Sequence, residues 1–287
     1  WNGLISGESG IGPITRFDCS DFSTKIAGEV KDFDPAQYIP RKQIQRMDRF
    51  NQFAVAGSRM LIDHAGLEID PEQGTHEVGI LLGCGLGGLE TIEEFHTRLL
   101  KKGPSRVSPF YIPKLISNIA AGQIAIATKA KGPNLVTTSA DAYHITAPDE
   151  SGAGMAHAMQ AAIAEAELDA GGVDHVNAHG TSTWWNDLCE TRAIKKVFGP
   201  HASKISVTAN KSMIGHALGA AGGIESVFSV MTLDRGMIPG TVNLEHPDPE
   251  CDLDYVSEGS RQEQVHRVLC NSFGFGGTNA CILFQGC

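Results

Sequence analysis

The sequence predicts an α/β fold with mostly parallel strands, and three observations carry that prediction. Short apolar runs of strand length alternate with longer helical stretches, most of the runs end in or near glycine, and no linker or low-complexity segment interrupts the alternation. Residues 46–65 place Phe50, Phe53, Ala54, Ala56, Met60 and Leu61 in a helical stripe. Residues 78–82 form a continuous apolar run ended by glycines, as in a strand covered on both faces. Residues 115–129 are rich in alanine and predict a helix that stops before Gly132-Pro133. Residues 152–168 predict another alanine-rich helix, and 173–177 the next strand. Residues 205–207 read as a strand, 215–233 as a helix with small residues along one side, and 268–270 and 280–284 as two strands flanking a glycine turn.

Bulk properties exclude several classes of function. A chain of 287 residues with 41% apolar content buries a substantial core, as one large domain or two smaller ones. A formal charge of −10 argues against general nucleic-acid binding. No apolar run reaches the roughly 18 residues of a membrane span. The opening Trp1-Asn2-Gly3-Leu4-Ile5-Ser6-Gly7 lacks a basic stretch followed by an apolar core, so no signal peptide is expected. Seven cysteines at scattered spacings, with no Cys-x-x-Cys, predict reduced thiols in a cytosol-like compartment.

Three turns at the ends of strand-like runs carry the residues with chemistry. They are Ala178-His179-Gly180-Thr181-Ser182-Thr183, Asn210-Lys211-Ser212-Met213-Ile214-Gly215-His216, and Asn271-Ser272-Phe273-Gly274-Phe275-Gly276-Gly277-Thr278-Asn279. His179 ends a strand and precedes glycine, which exposes an imidazole at the carboxyl edge of a sheet, where α/β proteins bind ligands. A lone His-Gly can equally do no more than cap its own turn, but Thr181 and Thr183 add two hydroxyls on one face beside the ring. His216 precedes a run of Ala, Leu and Gly and is expected near a helix N-terminus, whose dipole disfavours imidazolium. Lys211 is expected at a strand end, either solvated or orienting a partner. Two neutral histidines aimed at one point form an electrophilic pair that stabilises an enolate or oxyanion. The turn at 274–277 offers backbone amides and close approach, with Phe275 placed to swing as a lid, although an ordinary glycine hairpin fits the same residues.

Other signals are weaker. Gly83-Cys84-Gly85-Leu86-Gly87-Gly88 fits a dinucleotide-binding glycine pattern, but the acidic residue expected about 20 positions later is missing. His175 and His179 lack a further ligand cluster for zinc, and no Gly-x-Ser-x-Gly elbow occurs. The stretch between Glu94 and Asp141 has no acidic residue but carries Arg98, Lys101, Lys102, Arg106, Lys114, Lys129 and Lys131. With Arg41, Lys42, Arg46 and Arg49 it forms either a solvated face or a docking surface for an acidic partner.

In that order and wording the three turns resemble the β-ketoacyl-acyl-carrier-protein synthases, the condensing enzymes of fatty acid synthesis. Val30-Lys31-Asp32-Phe33, Met47-Asp48-Arg49-Phe50, Gly132-Pro133-Asn134, Asp141-Ala142-Tyr143-His144-Ile145-Thr146 and Gly219-Ala220-Ala221-Gly222-Gly223 are similar to the elongating type II enzymes of bacteria. The resemblance implies a thiolase-like fold of two similar α/β halves in five layers, with 1–138 an incomplete N-terminal half and 139–287 the C-terminal half. It implies a cytoplasmic homodimer with no metal and no cofactor. The reaction implied is a ping-pong Claisen condensation. An acyl chain moves from acyl carrier protein to a cysteine, malonyl-carrier protein loses carbon dioxide, and the carbanion attacks the thioester. Residue by residue, His179 and His216 match the catalytic histidines, Lys211 the supporting lysine and Phe275 the gate. Thr181 and Thr183 match the hydroxyls that hold the phosphopantetheine arm, and Thr146, Gly276 and Gly277 match further substrate-binding positions. Lys42 and Arg46 match carrier-protein contacts.

The chain departs from that pattern in two places. In the family, Gly132-Pro133-Asn134 leads within one strand to a Thr-Ala-Cys nucleophile at a helix N-terminus, where the dipole activates the thiol. Here Leu135-Val136-Thr137-Thr138 runs directly into Ser139-Ala140-Asp141, wording that belongs well beyond the nucleophile. A block on the order of 100 residues, the size of a small domain, is missing at that joint, and the first strand before Trp1 is missing too. None of the seven cysteines has the nucleophile's context. Trp184-Trp185 stands where a proline and a small or apolar residue are usual, beside the pantetheine threonines. The chain as written is therefore expected to lack condensation activity, whether it joins pieces of a working enzyme or is a deleted form. Unpaired strand edges disfavour a stably folded natural deletion. The alternative is a non-catalytic chain-length-factor-like subunit, against which the retention of His179, Lys211 and His216 argues.

Overall fold

A computed structural model describes residues 1–70, 72–75, 77–131, 134–135, 149–274 and 278–286. The chain divides into two compact units, one of Trp1–Glu29, Thr138–Ala217 and Ala221–Cys287, the other of Val30–Thr137 and Leu218–Ala220. Compactness thus separates the chain near residue 138 but gathers residues 1–29 with the C-terminal part.

The first unit is built on a four-stranded mixed sheet. Its order is Thr278–Gln285, Arg267–Gly274, His175–Asn177, Ser206–Thr208; the last three strands run parallel and the first antiparallel to its neighbour. The two short strands, His175–Asn177 and Ser206–Thr208, are buried at every position, because helices cover both faces. On one face, Leu269 and Phe273 join Met155, Met159 and Ile163 of the Ala153–Glu165 helix and Cys189, Ala193, Ile194 and Phe198 of the Trp184–Phe198 helix. On the other, the Ala221–Arg235 helix lies so close that a Cβ on Gly222 would meet the Ser272 hydroxyl at 2.8 Å. With both faces covered, the Arg267–Gly274 strand is buried continuously from Val268 to Asn271 instead of alternating.

The second unit packs the Arg49–Ala65 helix on the Ile119–Thr128 helix around Ile39, Met47, Val55 and Ile124. Ile80–Leu81 pairs in parallel with Asn134–Leu135. The glycines of the 83–88 loop serve close backbone approach. A Cβ on Gly83 would meet the Gly219 carbonyl at 2.4 Å, and one on Gly87 the Leu115 carbonyl at 2.2 Å. Packing alone therefore explains the dinucleotide-like spacing.

Several boundaries differ from the sequence reading. The first long helix starts at Arg49, not 46, because the Asp48 carboxylate caps it through the Phe50 amide at 3.3 Å. The helical run at 115–129 is two helices, Tyr111–Leu115 and Ile119–Thr128, with Ile116 extended between them. The run at 215–233 begins as a helix only at Ala221, because Gly215, at φ +74, ends a short helix Lys211–Ile214, and a single 3-10 turn follows at Leu218–Ala220. Among the described residues, no helix is long and apolar enough to cross a membrane.

Asp48 caps a second helix as well, accepting from the Thr91 amide at 3.1 Å and the Thr91 hydroxyl at 2.6 Å in the first turn of Leu89–Lys102. Asp48→Ala orphans two helix starts and a buried hydroxyl, and is expected to destabilise by about 2–3 kcal/mol. Urea denaturation checks this; a loss under about 0.5 kcal/mol would show that the cap is not structural.

Candidate active site

His179 leaves the His175–Asn177 strand one residue after Ala178, whose amide still bonds the Thr208 carbonyl at 2.8 Å. The next turn is tight. Gly180 has φ +41, and a Cβ there would meet the Ala209 Cβ at 2.6 Å, so the position requires glycine.

Two buried charges hold this turn. The Glu190 carboxylate accepts from the His179 amide at 2.9 Å, the Gly180 amide at 3.0 Å and Asn271 Nδ2 at 3.1 Å, with Asn186 Nδ2 at 3.5 Å. Lys211 donates to the His179 carbonyl and forms a buried ion pair with Glu225. Around them, Asn210 Nδ2 donates to Asn177 Oδ1 at 2.8 Å, and Asn177 Nδ2 donates to the Glu225 carbonyl at 3.0 Å and Ser229 Oγ at 3.1 Å. The ends of two parallel strands and the Ala221–Arg235 helix are thereby locked together.

The two site histidines meet. Their ring centroids lie 5.4 Å apart at 81°, and Phe273 packs edge-on against His179 with centroids 6.1 Å apart. Burial, reinforced by the Lys211 ammonium and His216, pushes the His179 pKa down to about 3, and its buried Nδ1 has no hydrogen-bond partner. Burial and then Lys211 lower His216 as well. Both rings are neutral at physiological pH, and the cause is burial beside a lysine. The helix-dipole explanation is corrected, since His216 lies five residues before the Ala221–Arg235 helix. Lys211 likewise sits in the short helix Lys211–Ile214 instead of at a strand end, and of its two expected roles it takes the buried, partner-orienting one.

Burial raises the carboxyls: Glu225 to about 7 against the pull of Lys211, and Glu190 upward despite its donors. Thr181 and Thr183 join hydroxyls at 2.8 Å. Asp187, raised by burial, accepts from Asn186 Nδ2 at 3.1 Å. Among the described residues, the thiols around this sheet shift away from the activated, low-pKa state of a nucleophile. Burial raises Cys189 and Cys251, lifts Cys270 to about 12, and pushes Cys281 up further.

Thr146, Phe275, Gly276 and Gly277 lie outside the described residues. Lys42 and Arg46 are exposed in the other unit, where the Arg46 guanidinium lies 5.0 Å over the Phe110 ring. His175, once weighed as a metal ligand, is consumed structurally: Nδ1 meets the Ser206 carbonyl at 2.9 Å and Nε2 the Thr208 hydroxyl at 3.2 Å. Among the described residues, no group of three or more His, Cys, Asp or Glu stands ready for a metal ion. Glu190, Glu225 and Asp187 escaped the sequence reading. A faint signal for two of them was the i,i+3 spacing of Asp187 and Glu190 directly after the His179 loop.

Neutral paired histidines and a buried lysine in the turns that follow two parallel strands are the equipment of a condensing acyltransferase. Residues 134–245 match the β-ketoacyl synthase C-terminal domain family. The chain is 39% identical to 3-oxoacyl-[acyl-carrier-protein] synthase 2 of Synechocystis sp., over 99% of this chain and 93% of that protein. It is 34% identical to the Coxiella burnetii protein of the same name, with the same two coverages. Among solved structures, the ishigamide ketosynthase/chain length factor superposes with a TM-score of 0.91 at 24% identity, covering 100% of this chain and 94% of that one. A β-ketoacyl synthase from Burkholderia phymatum superposes at 0.87 with 22% identity and the same coverages. The chain belongs to the β-ketoacyl-acyl-carrier-protein synthase family and has its thiolase-like fold. The Synechocystis alignment spans 387 residues against a chain of 287, so about 100 positions have no counterpart here.

These shifts fix the acid behaviour. Between pH 6.5 and about 3 the unfolded chain holds a proton on His179 that the fold excludes, so stability falls as pH drops through that window; His175, held at about 4, adds to it. Glu225 acts oppositely, since the fold holds its proton between 4.5 and about 7 and loses stability as pH rises there. Glu190 and Asp187, also raised by burial, act with Glu225, and His216 acts with His179 and His175, so histidines and carboxyls oppose one another between pH 6.5 and 5, and His179 itself reports the shift most directly. His179 ring resonances should show no titration above pH 5. A His179 midpoint near 6.5 would refute this assignment.

Proposed function

We propose that this site runs the decarboxylative half of a 3-oxoacyl-acyl-carrier-protein synthase, and that the polypeptide as it stands lacks the thiol for the acyl-transfer half. The observation that carries the reading is the pair of neutral rings, His179 and His216, beside the Lys211–Glu225 pair. When the bond between Cα and carboxylate of a malonyl thioester breaks, carbon dioxide leaves and its electron pair enters an enolate. The two imidazoles donate to the enolate oxygen as charge develops there. Neutral donors suit this step, because an imidazolium would surrender its proton to the enolate. In a complete synthase the enolate carbon then attacks an acyl thioester and the cysteine thiolate departs. Without that thioester, the enolate takes a proton from water and acetyl-carrier protein results.

Around this chemistry the family pattern assigns the remaining roles. Thr181 and Thr183 hold the phosphopantetheine arm, Thr146, Gly276 and Gly277 complete substrate binding, and Phe275 gates. Exposed Lys42 and Arg46 receive the acidic acyl carrier protein. Residues 1–138 and 139–287 are the two thiolase halves, the protein a cytoplasmic homodimer serving fatty acid elongation. A chain-length-factor-like subunit is the second reading. The raised, buried thiols favour it, and the intact network around Lys211 argues against it.

Cerulenin alkylates the nucleophilic cysteine of condensing enzymes, so intact mass before and after treatment tests the missing thiol. For the 287-residue chain no cerulenin adduct is expected, together with no β-ketoacyl product from acyl- and malonyl-carrier protein. A single adduct on an unaltered chain, or measurable condensation product, would overturn the reading.

A further inference from the structure

Trp184 and Trp185 open the Trp184–Phe198 helix directly after Thr183. Their rings meet with centroids 4.5 Å apart at 62°. They stay 57% and 42% exposed, so core packing does not account for them. Trp184 is nevertheless fixed in place. Its indole N–H donates to Asp248 Oδ2 at 3.1 Å, and the Glu250 amide donates to the other Asp248 oxygen at 2.8 Å. The result is a rigid, solvent-facing aromatic corner on the loop that begins at His179.

Chemistry changes in a fixed order along that loop. His179 is buried and offers a neutral imidazole, Thr181 is half-buried and shares hydroxyls with exposed Thr183, and the aromatic pair stands outermost. Electrophile, hydrogen-bonding pair and apolar wall follow one another within seven residues. A pantetheine thioester presents the same order from its reactive end: thioester carbonyl, two amides, then a quaternary carbon bearing two methyl groups.

We infer that Trp184 and Trp185 form the wall against which the dimethyl end of the pantetheine arm packs. The pair thereby makes the site selective for the dimethyl-bearing arm over thioesters that lack those methyl groups. This rests on reading the site as one that takes carrier-bound thioesters.

Calorimetric titration with S-acetyl-pantetheine and with its analogue in which hydrogens replace the two methyl groups of the quaternary carbon tests the inference. The dimethyl-bearing arm is expected to bind roughly tenfold tighter, the effect of burying two methyl groups. In the Trp184→Ala, Trp185→Ala double variant that ratio should fall close to one, while Trp184→Phe, Trp185→Phe keeps most of it. Thr181→Ala should weaken both thioesters alike. Circular dichroism of each variant checks that the helix persists. An unchanged ratio in the double alanine variant overturns the aromatic wall and leaves the thioester site standing. No binding of either thioester to the unaltered protein overturns both.

Discussion

The peptide of His179 is held between two buried charges of opposite sign, and the site depends on that clamp. Glu190 takes its N–H and that of Gly180, while Lys211 takes its carbonyl. Neither charge faces solvent, so each needs its own compensation. Glu190 finds it in backbone amides and in Asn271 and Asn186, and Lys211 in Glu225. Removing one partner of such a set leaves an uncompensated buried charge, at about 3–5 kcal/mol. The turn is rigid for that reason, and its rigidity fixes the imidazole.

The same charges set the chemistry. Lys211 lies close enough to both histidines to lower their affinity for a proton, adding to the effect of burial. An imidazole held neutral is a donor that keeps its proton while negative charge grows on a neighbouring oxygen. Structure and reactivity therefore share one origin. The lysine that fastens the loop also fixes the protonation state of its histidine.

Much of this was legible in the sequence. Strand-ending His-Gly and Asn-Lys turns located the site, and alternation of apolar runs with alanine-rich stretches located the sheet and its helices. What escaped follows from long-range packing. Glu190 and Glu225 read as ordinary acidic residues of amphipathic helices, and only the fold turns them inward, 11 and 46 positions beyond His179. His216 reads as the start of a helix because the small and apolar residues of 215–233 suit one from Gly215 onward; the positive φ of Gly215 instead ends the short helix before it. The glycines at 83–88 imitate a nucleotide loop because close backbone packing and phosphate binding demand the same missing side chain. Trp184 and Trp185 stand out in the sequence as a departure, but the Asp248 that fixes Trp184 lies 64 residues away in the chain.

A site with the electrophiles but without the nucleophilic thiol, as proposed for this chain, has a distinctive signature: it breaks a carbon–carbon bond without making one. Release of carbon dioxide from malonyl-carrier protein, with no acyl donor present, is the most direct measurement. Release should exceed the protein-free rate, yield acetyl-carrier protein and no ketoacyl product, and fall at least tenfold in His179→Ala and in His216→Ala, as expected for loss of one oxyanion donor. Release no faster than in buffer, or equal in both variants, would contradict the assignment of the histidine pair.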